Sequence, residues 1–449
     1  MCGRRTRSAS ASLTGCGDLT EDVLIGRLNA RGDGTTQVGG RRVMVPGTLP
    51  GELVRIAPWH DARARVRWRV EAVLASSDER VDPACDQHAR CSGCPLRHVA
   101  SPARAAFAAE AAEFAMRRHL ALNLPVSRRY APVSQDGFRA RLSAGIYAEM
   151  GAEPVPGMAA RGDGPPIDLR RCPAQSAESR EALVQLWAEV EALGLTQRIR
   201  RVTISANDDG TARVVLSAVT PEDVAALTSA AWMPRPRWTL AVSPRSDGPG
   251  VEAEAVIVYG PESLPFEVDG DRLHARLTAW TPQTPGSLTA LRAATLELLA
   301  CTAESRVLEL GCGVGTLSAA IARRCEALVG VDMVRAAAED AATNMASLGV
   351  LNARFRHGRA DQAVRRLLAG GERFDRVLLH GMRLPFGEAL TNVLPAIRPA
   401  RIVYIAPSAT AMARDLASLR GYRLSRLEQL EQMPGTAHTL TLGLVEPRA

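Results

Sequence analysis

Lysine is missing altogether: none of the 449 residues is Lys, so all 55 basic side chains are Arg and the formal charge of +7 rests on guanidinium groups alone. An arginine-only basic set reflects a GC-rich coding sequence and assigns no function by itself. The excess positive charge nonetheless favours a polyanionic partner, because neutralising phosphates supplies sequence-independent affinity for nucleic acid. Long apolar runs are missing too. No stretch reaches the ~18 residues that a bilayer span needs, and Met1 to Gly17 is rich in Arg and Ser without the apolar middle of a signal peptide. These absences exclude a membrane partner and predict a cytoplasmic, soluble monomer whose residues 1–17 form a disordered arm. A chain of this length exceeds one core and implies two to four domains. Nine cysteines in a reducing compartment point to metal binding or catalysis before disulfides.

What is present centres on Val307 to Ala322. A short apolar run (Val307, Leu308, Leu310) reads as a buried parallel strand, Gly311, Gly313 and Gly315 as a tight turn, and Leu317 to Ala322 as a helix. Glycines there let backbone approach a ligand, and the helix start offers N–H groups to it. Glu309 lies in the strand, and Asp332 ends the next apolar run, where an acid suits a ribose diol. The Glu-x-Gly-x-Gly-x-Gly order resembles the S-adenosylmethionine (SAM) loop of class I methyltransferases.

Taken in order, residues 18–76 show short, closely spaced strand patterns, among them Val23–Ile25, Arg42–Val45 and Glu52–Ile56, which predict a small β-barrel. In its last strand Arg63, Arg65, Arg67 and Arg69 share one face, because strand side chains alternate. Val45-Pro-Gly-Thr-Leu-Pro-Gly-Glu52 resembles the TRAM domain, an RNA-binding barrel. Cys85, Cys91 and Cys94 follow in a loop of turn formers, and Cys172 lies in a similar context further on. Four thiolates can hold a tetrahedral zinc or an iron–sulfur cluster, and spacing does not separate the two. A long Ala-rich helix is expected over 101–124. Mixed strands with a helix over Glu178–Leu193 then predict an α+β central domain, counted with the cysteine loop as 77–270. From 271 to 449 helix and strand alternate toward a final hairpin, as in a doubly wound sheet with its ligand crevice at the carboxyl ends of the strands.

The cysteine group after a TRAM-like barrel and before a SAM-type loop resembles the RNA 5-methyluridine (uracil-C5) methyltransferase family. Phe138-Arg-Ala-Arg141 and Ile167-Asp-Leu-Arg-Arg-Cys172 match its central domain in position and type. The resemblance implies an α/β fold: a class I methyltransferase sheet, a TRAM-like barrel and an α+β domain carrying a 4Fe-4S cluster on Cys85, Cys91, Cys94 and Cys172. It also implies a helix packed on the methyltransferase domain, an rRNA or tRNA partner, and SAM bound through Gln283, Glu309, Gly311, Gly313, Gly315, Thr316 and Asp332.

The family's chemistry needs a thiolate to add to uracil C6 and a carboxylate to take the C5 proton. Where the family has Ser-Cys-Asn-Pro after an Ile-Val-Tyr-Val strand, this chain reads Ile402-Val-Tyr-Ile-Ala-Pro-Ser-Ala409, with Pro407 at the nucleophile's position and Tyr404, Arg414 and Asp415 kept in register. Leu440 stands at the base's position in Glu431-Gln-Met-Pro-Gly-Thr-Ala-His438-Thr-Leu440. The Asp-Pro-Pro-Arg motif appears as His380-Gly-Met-Arg383, and the Gln-Val-Asn motif as Gln283-Thr-Pro285. Cys301, Cys312 and Cys325 are the thiols left to the SAM domain, and none is at the end of the Tyr404 strand. The reading is a SAM- and RNA-binding family member whose methyl-transfer centre is lost. The alternatives are an RNA methyltransferase using other residues, His380 and His438 being open to acid–base work, and a small-molecule methyltransferase, for which a barrel and a basic chain are superfluous.

Overall fold

The computed structural model describes residues 20–60, 65–129, 134–148, 151–161, 165–244, 255–277, 279, 284–381 and 385–448, which fall into two compact units, Met1–Arg80 and Val81–Ala449. The expected N-terminal arm, Arg63, Gln283 and Arg383 lie outside the described residues. No helix among them is long and apolar enough to cross a membrane.

The first unit contains two three-stranded antiparallel sheets, one of Glu21–Leu24, Leu53–His60 and Val66–Ala75, the other of Arg27–Leu28, Gly34–Val38 and Arg41–Val45. Val23, Ile25, Val45, Val54 and Ile56 form its core, with Trp68 and Val70 packed against them. Inward Trp68 and Val70 leave the alternate positions Arg67 and Arg69 on the other face, where Arg69 pairs with Glu71 at 2.7 Å. The turn between the sheets is locked by Glu52, fully buried, whose carboxylate accepts from Leu49 N at 2.8 Å and from Arg80 Nη2 at 2.7 Å. Burial alone would raise the Glu52 carboxyl, but the Arg80 guanidinium and the backbone donors hold it below its ordinary value.

In the second unit, a seven-stranded sheet runs in the order Ile167–Asp168, Val155–Met158, Arg141–Tyr147, Ile199–Ala206, Ala212–Ala218, Trp238–Ser243, Val256–Tyr259. Helix Ala177–Ala192 covers it, burying Leu183, Leu186, Trp187 and Val190, and Ser176 caps that helix by accepting from Ser179 N. The helix expected over 101–124 runs Ser101–Leu120; it stops where Ala121 turns left-handed at φ 50°, four residues early. Its Ala112 and Met116 enter a core shared with Met412 and Ala413 of helix Ala409–Ser418.

An eight-stranded sheet carries the C-terminal half, in the order Ala353–His357, Ala327–Asp332, Arg306–Leu310, Arg376–His380, Arg401–Ala406, Thr439–Pro447, Tyr422–Glu431, Val126–Arg129. The first five strands are mutually parallel, and Thr439–Pro447 runs antiparallel between its neighbours. Central strands such as Arg306–Leu310 are buried on both faces, as the Val/Leu run interrupted only by Glu309 indicates. This is the doubly wound sheet expected from sequence, with one addition. Val126–Arg129, placed with the central domain by its position in the chain, pairs in parallel with Leu427–Leu430 as the outermost strand.

Candidate active site

The glycine loop, Asp332, His380 and Pro407 lie at the carboxyl ends of the parallel strands. After Leu310 the chain turns through Gly311, Gly313 and Gly315 at φ 88°, 54° and 89°, a region that penalises any Cβ. The three glycines have different neighbours. A Cβ on Gly311 would collide with the carbonyl oxygen of His380, one on Gly315 would lie 3.0 Å from Met345 Cε, and one on Gly313 would meet nothing within 4 Å. Gly313 thus borders open space, where a ligand can approach the backbone.

The loop's amides are less available than the sequence suggests. Gly311 N donates to Val331 O at 2.8 Å, Gly315 N to Cys312 O at 3.0 Å, and Gly313 N to Asp332 Oδ2 at 2.9 Å. Asp332 Oδ1 accepts from Val334 N at 2.8 Å, so this acid ties the glycine loop to the end of its own strand. Thr316 follows, half-buried. Glu309 is 0 % exposed; its Oε2 accepts from Ser318 Oγ at 2.6 Å and its Oε1 has no partner. Burial pushes its carboxyl up to about 8, Asp332 adds to the rise, and the Ser318 hydroxyl works against it.

His380 ends its strand, half-buried, with burial lowering its imidazole to about 4. Strand register sets it in a row with Ile405 and Leu442, and the next residue on that face of Leu442's strand is Leu440. Leu440 pairs with Leu430 and is 7 % exposed in an apolar cluster that also holds Ile405 and Leu442. No carboxylate occupies that position. Pro407 follows the strand Arg401–Ala406, and Ser408 caps the next helix by accepting from Ala411 N at 3.3 Å. Behind them Tyr404 Oη donates to Asp415 Oδ2, and Arg414 points outward, exposed. The nearest carboxylate to Leu440 in the hairpin register, Glu431, pairs with Thr439 along the ladder and forms an ion pair with Arg104 at 2.9 Å. That pair leaves no local trace in the sequence, since its members are 327 residues apart.

The other thiols of this sheet are unsuited to nucleophilic work. Burial pushes Cys301 up to about 11 and Cys325 to about 12, and Cys312, buried beside Glu309 and Asp332, is raised well above the ordinary thiol value.

Cys85, Cys91, Cys94 and Cys172 are free, half-buried thiols. Among the described residues no group of three or more His, Cys, Asp or Glu side chains is drawn together as a metal-holding set, so the expected ligand group is not assembled here. The thiols still influence one another. Burial raises Cys85 and Cys94 most, Cys172 and Cys91 raise both further, Arg97 works against the rise at both, and Arg139 at Cys94. Buried Nε atoms of Arg97 and Arg139 have no partner, so this neighbourhood has spare N–H donors for an anionic group.

A methyltransferase-domain family model matches residues 307–400. Over 445 residues, 95 % of this chain and 97 % of the relative, it is 30 % identical to a 23S rRNA (uracil(1939)-C(5))-methyltransferase of Alkalilimnicola ehrlichii. It is 26 % identical to the enzyme of the same name from Edwardsiella ictaluri, over 100 % of this chain and 98 % of that one. Among solved structures, Pyrococcus abyssi tRNA (uracil-54, C5)-methyltransferase in complex with S-adenosyl-L-homocysteine superimposes with a TM-score of 0.71 at 20 % identity, covering 95 % of this chain and 100 % of that one, a likeness of fold.

Proposed function

The chain belongs to the RNA uracil-C5 methyltransferase family, and from that premise we propose that it binds SAM and RNA but does not run the family's thiolate route to C5. One observation carries this reading: the base's position is Leu440, packed in an apolar cluster, while the nucleophile's position is Pro407, which has no nucleophilic atom. Uracil C5 becomes a nucleophile only after a thiolate adds to C6, and the adduct resolves only when a base removes the C5 proton. Neither group is supplied at its position, and the half-buried Cys301 and the buried Cys312 and Cys325 have thiols raised away from the thiolate.

SAM binding is supported by the left-handed glycines and by Asp332, which shapes the loop, with Glu309 and Thr316 flanking it. Gln283 is assigned to the same site by its place in the motif. Barrel-like residues 18–76, with Arg67 and Arg69 on the strand Val66–Ala75 and Arg65 just before it, are the proposed RNA-binding part, 77–270 the proposed iron–sulfur and central part, and 271–449 the proposed methyltransferase part. For the 4Fe-4S cluster the support is the donor set, Cys85, Cys91, Cys94 and Cys172, and the spare guanidinium N–H groups of Arg97 and Arg139 beside it. Bound there, a cluster would cross-link the loop of Cys85–Cys94 to that of Cys172.

The test is covalent trapping. Incubated with SAM and 5-fluorouridine RNA, the protein should form no denaturant-stable adduct, and RNA from a deletion strain should keep all its 5-methyluridine. An adduct, or a lost 5-methyluridine, would show that the C5 chemistry persists.

A further inference from the structure

Near the carboxyl ends of the sheet, four acidic side chains each have a partner within the fold. Glu309 is buried against Ser318, Asp332 holds Gly313 N and Val334 N, Asp415 holds Tyr404, and Glu431 holds Arg104. His380 differs from all of these. Its imidazole makes no hydrogen bond, ion pair or ring contact with any other residue, among the described residues, so it has no structural task of the kind a strand-end histidine usually performs. It is half-buried, crowded by protein yet reachable from outside. Its backbone carbonyl abuts Gly311 of the SAM-type loop, and its row and face of the sheet are those of Ile405, Leu442 and, one step nearer the crevice, Leu440.

We propose that His380 is the base of a methyl transfer to an RNA heteroatom that carries its own proton, a ring N–H or a ribose hydroxyl. The inference rests on the reading that the chain binds SAM and RNA, and it names the acceptor. In the step, the acceptor's lone pair forms the new N–C or O–C bond as the methyl–sulfonium bond breaks, its electron pair staying on sulfur as the thioether. The acceptor's proton passes to the unprotonated imidazole nitrogen of His380. No bond to the protein forms at any stage, so neither a cysteine nor a base for C5 is needed. Pro407 and Leu440 are then compatible with turnover, whereas the glycine loop and Asp332 remain necessary. Burial keeps the imidazole unprotonated at neutral pH. A weak base suffices, because the acceptor's proton becomes strongly acidic only as the bond to methyl forms.

The experiment combines the full-length protein, SAM with a labelled methyl group and total RNA from a deletion strain, followed by mass spectrometry of the nucleosides. The expected product is an N-methylated or O-methylated nucleoside; a label that stays with the free base marks a ring nitrogen, one that stays with the sugar marks a ribose hydroxyl. His380→Asn and His380→Gln should lower kcat by on the order of 100-fold while leaving SAM affinity and KM for SAM within about twofold, which also checks that they fold. SAM binding without methyl transfer to any RNA would overturn this proposal and leave the broader reading standing. So would turnover by the two variants at the wild-type rate, whereas 5-methyluridine as product would overturn both. Failure to bind SAM would remove both together.

Discussion

Tyr404 donates its hydroxyl to Asp415 Oδ2 at 2.6 Å, inside the protein, and the same carboxylate accepts from Phe386 N at 2.7 Å and Gly387 N at 2.9 Å. Burial and the Asp415 carboxylate push the Tyr404 phenol far up, so it remains a donor at every accessible pH. One acid thereby ties the strand Arg401–Ala406, the helix Ala409–Ser418 and the segment after His380 into a single piece. Tyr404→Phe removes one bond to a buried charge and should cost about 1.5–3 kcal/mol; Asp415→Ala, which strands three donors, should cost more. Urea midpoints measure both, and a Tyr404→Phe midpoint equal to wild type would show that the bond contributes nothing net.

Asp332 is expected to act on SAM partly through the loop. Asp332→Ala frees Gly313 N and Val334 N and removes the carboxylate together, so SAM affinity should fall by roughly 1.5–3 kcal/mol, about 10- to 150-fold. Titration calorimetry on both proteins decides it. Unchanged affinity would remove Asp332 from the site.

Glu309 makes stability depend on pH in an unusual direction. The folded protein keeps its proton up to about 8, while the unfolded chain releases it near the ordinary 4.5. Its contribution is therefore fully present below pH 4.5 and is lost as pH rises through 8. Glu309→Gln cannot ionise, so between those pH values the ligand-free variant should lose less stability than wild type, read as urea midpoints at several pH values. Parallel profiles would mean that Glu309 is already ionised in the fold.

Anaerobically purified protein should be brown with about four irons per chain, as four-Cys ligation of a 4Fe-4S cluster requires. Cys94→Ser should lose the colour. Colourless protein with stoichiometric zinc would reassign the group.

Binding to single-stranded RNA should weaken steeply with salt. Replacing Arg65, Arg67 and Arg69 together should flatten the slope of log affinity against log salt by about 0.7 for each phosphate that is no longer neutralised. Filter binding across a salt series gives the slope, and an unchanged slope would move the RNA-binding surface away from these three arginines.

The parts of this site that could be read in the sequence are those in which one local constraint leaves one residue type. Gly311, Gly313 and Gly315 all have left-handed φ, which leaves a repeated glycine behind. Pro407 and Leu440 were visible as departures because Tyr404 and Asp415, held to each other, keep the surrounding register intact. What escaped depends on contacts across the fold. Arg104 and Glu431 meet through tertiary packing with no spacing to announce them, and the helix from Ser101 ends at Ala121, a residue with no breaker character. The bonding of the loop amides was equally hidden, since a glycine pattern does not say whether its N–H groups face a ligand or Val331 O. Cysteine spacing suggested a shared ligand but could not say how closely the four sulfurs gather.

The strand Val126–Arg129 covers the outer edge of Tyr422–Glu431, although some 300 residues of chain separate them. A fragment cut at residue 271 would leave that edge bare, with a row of N–H and C=O groups open to pairing with another molecule. Expressed alone, the C-terminal half is thus expected to self-associate, and a gene-fusion or recombination event could not move it to a new host chain as an independent module without carrying the segment from Ser101 onward.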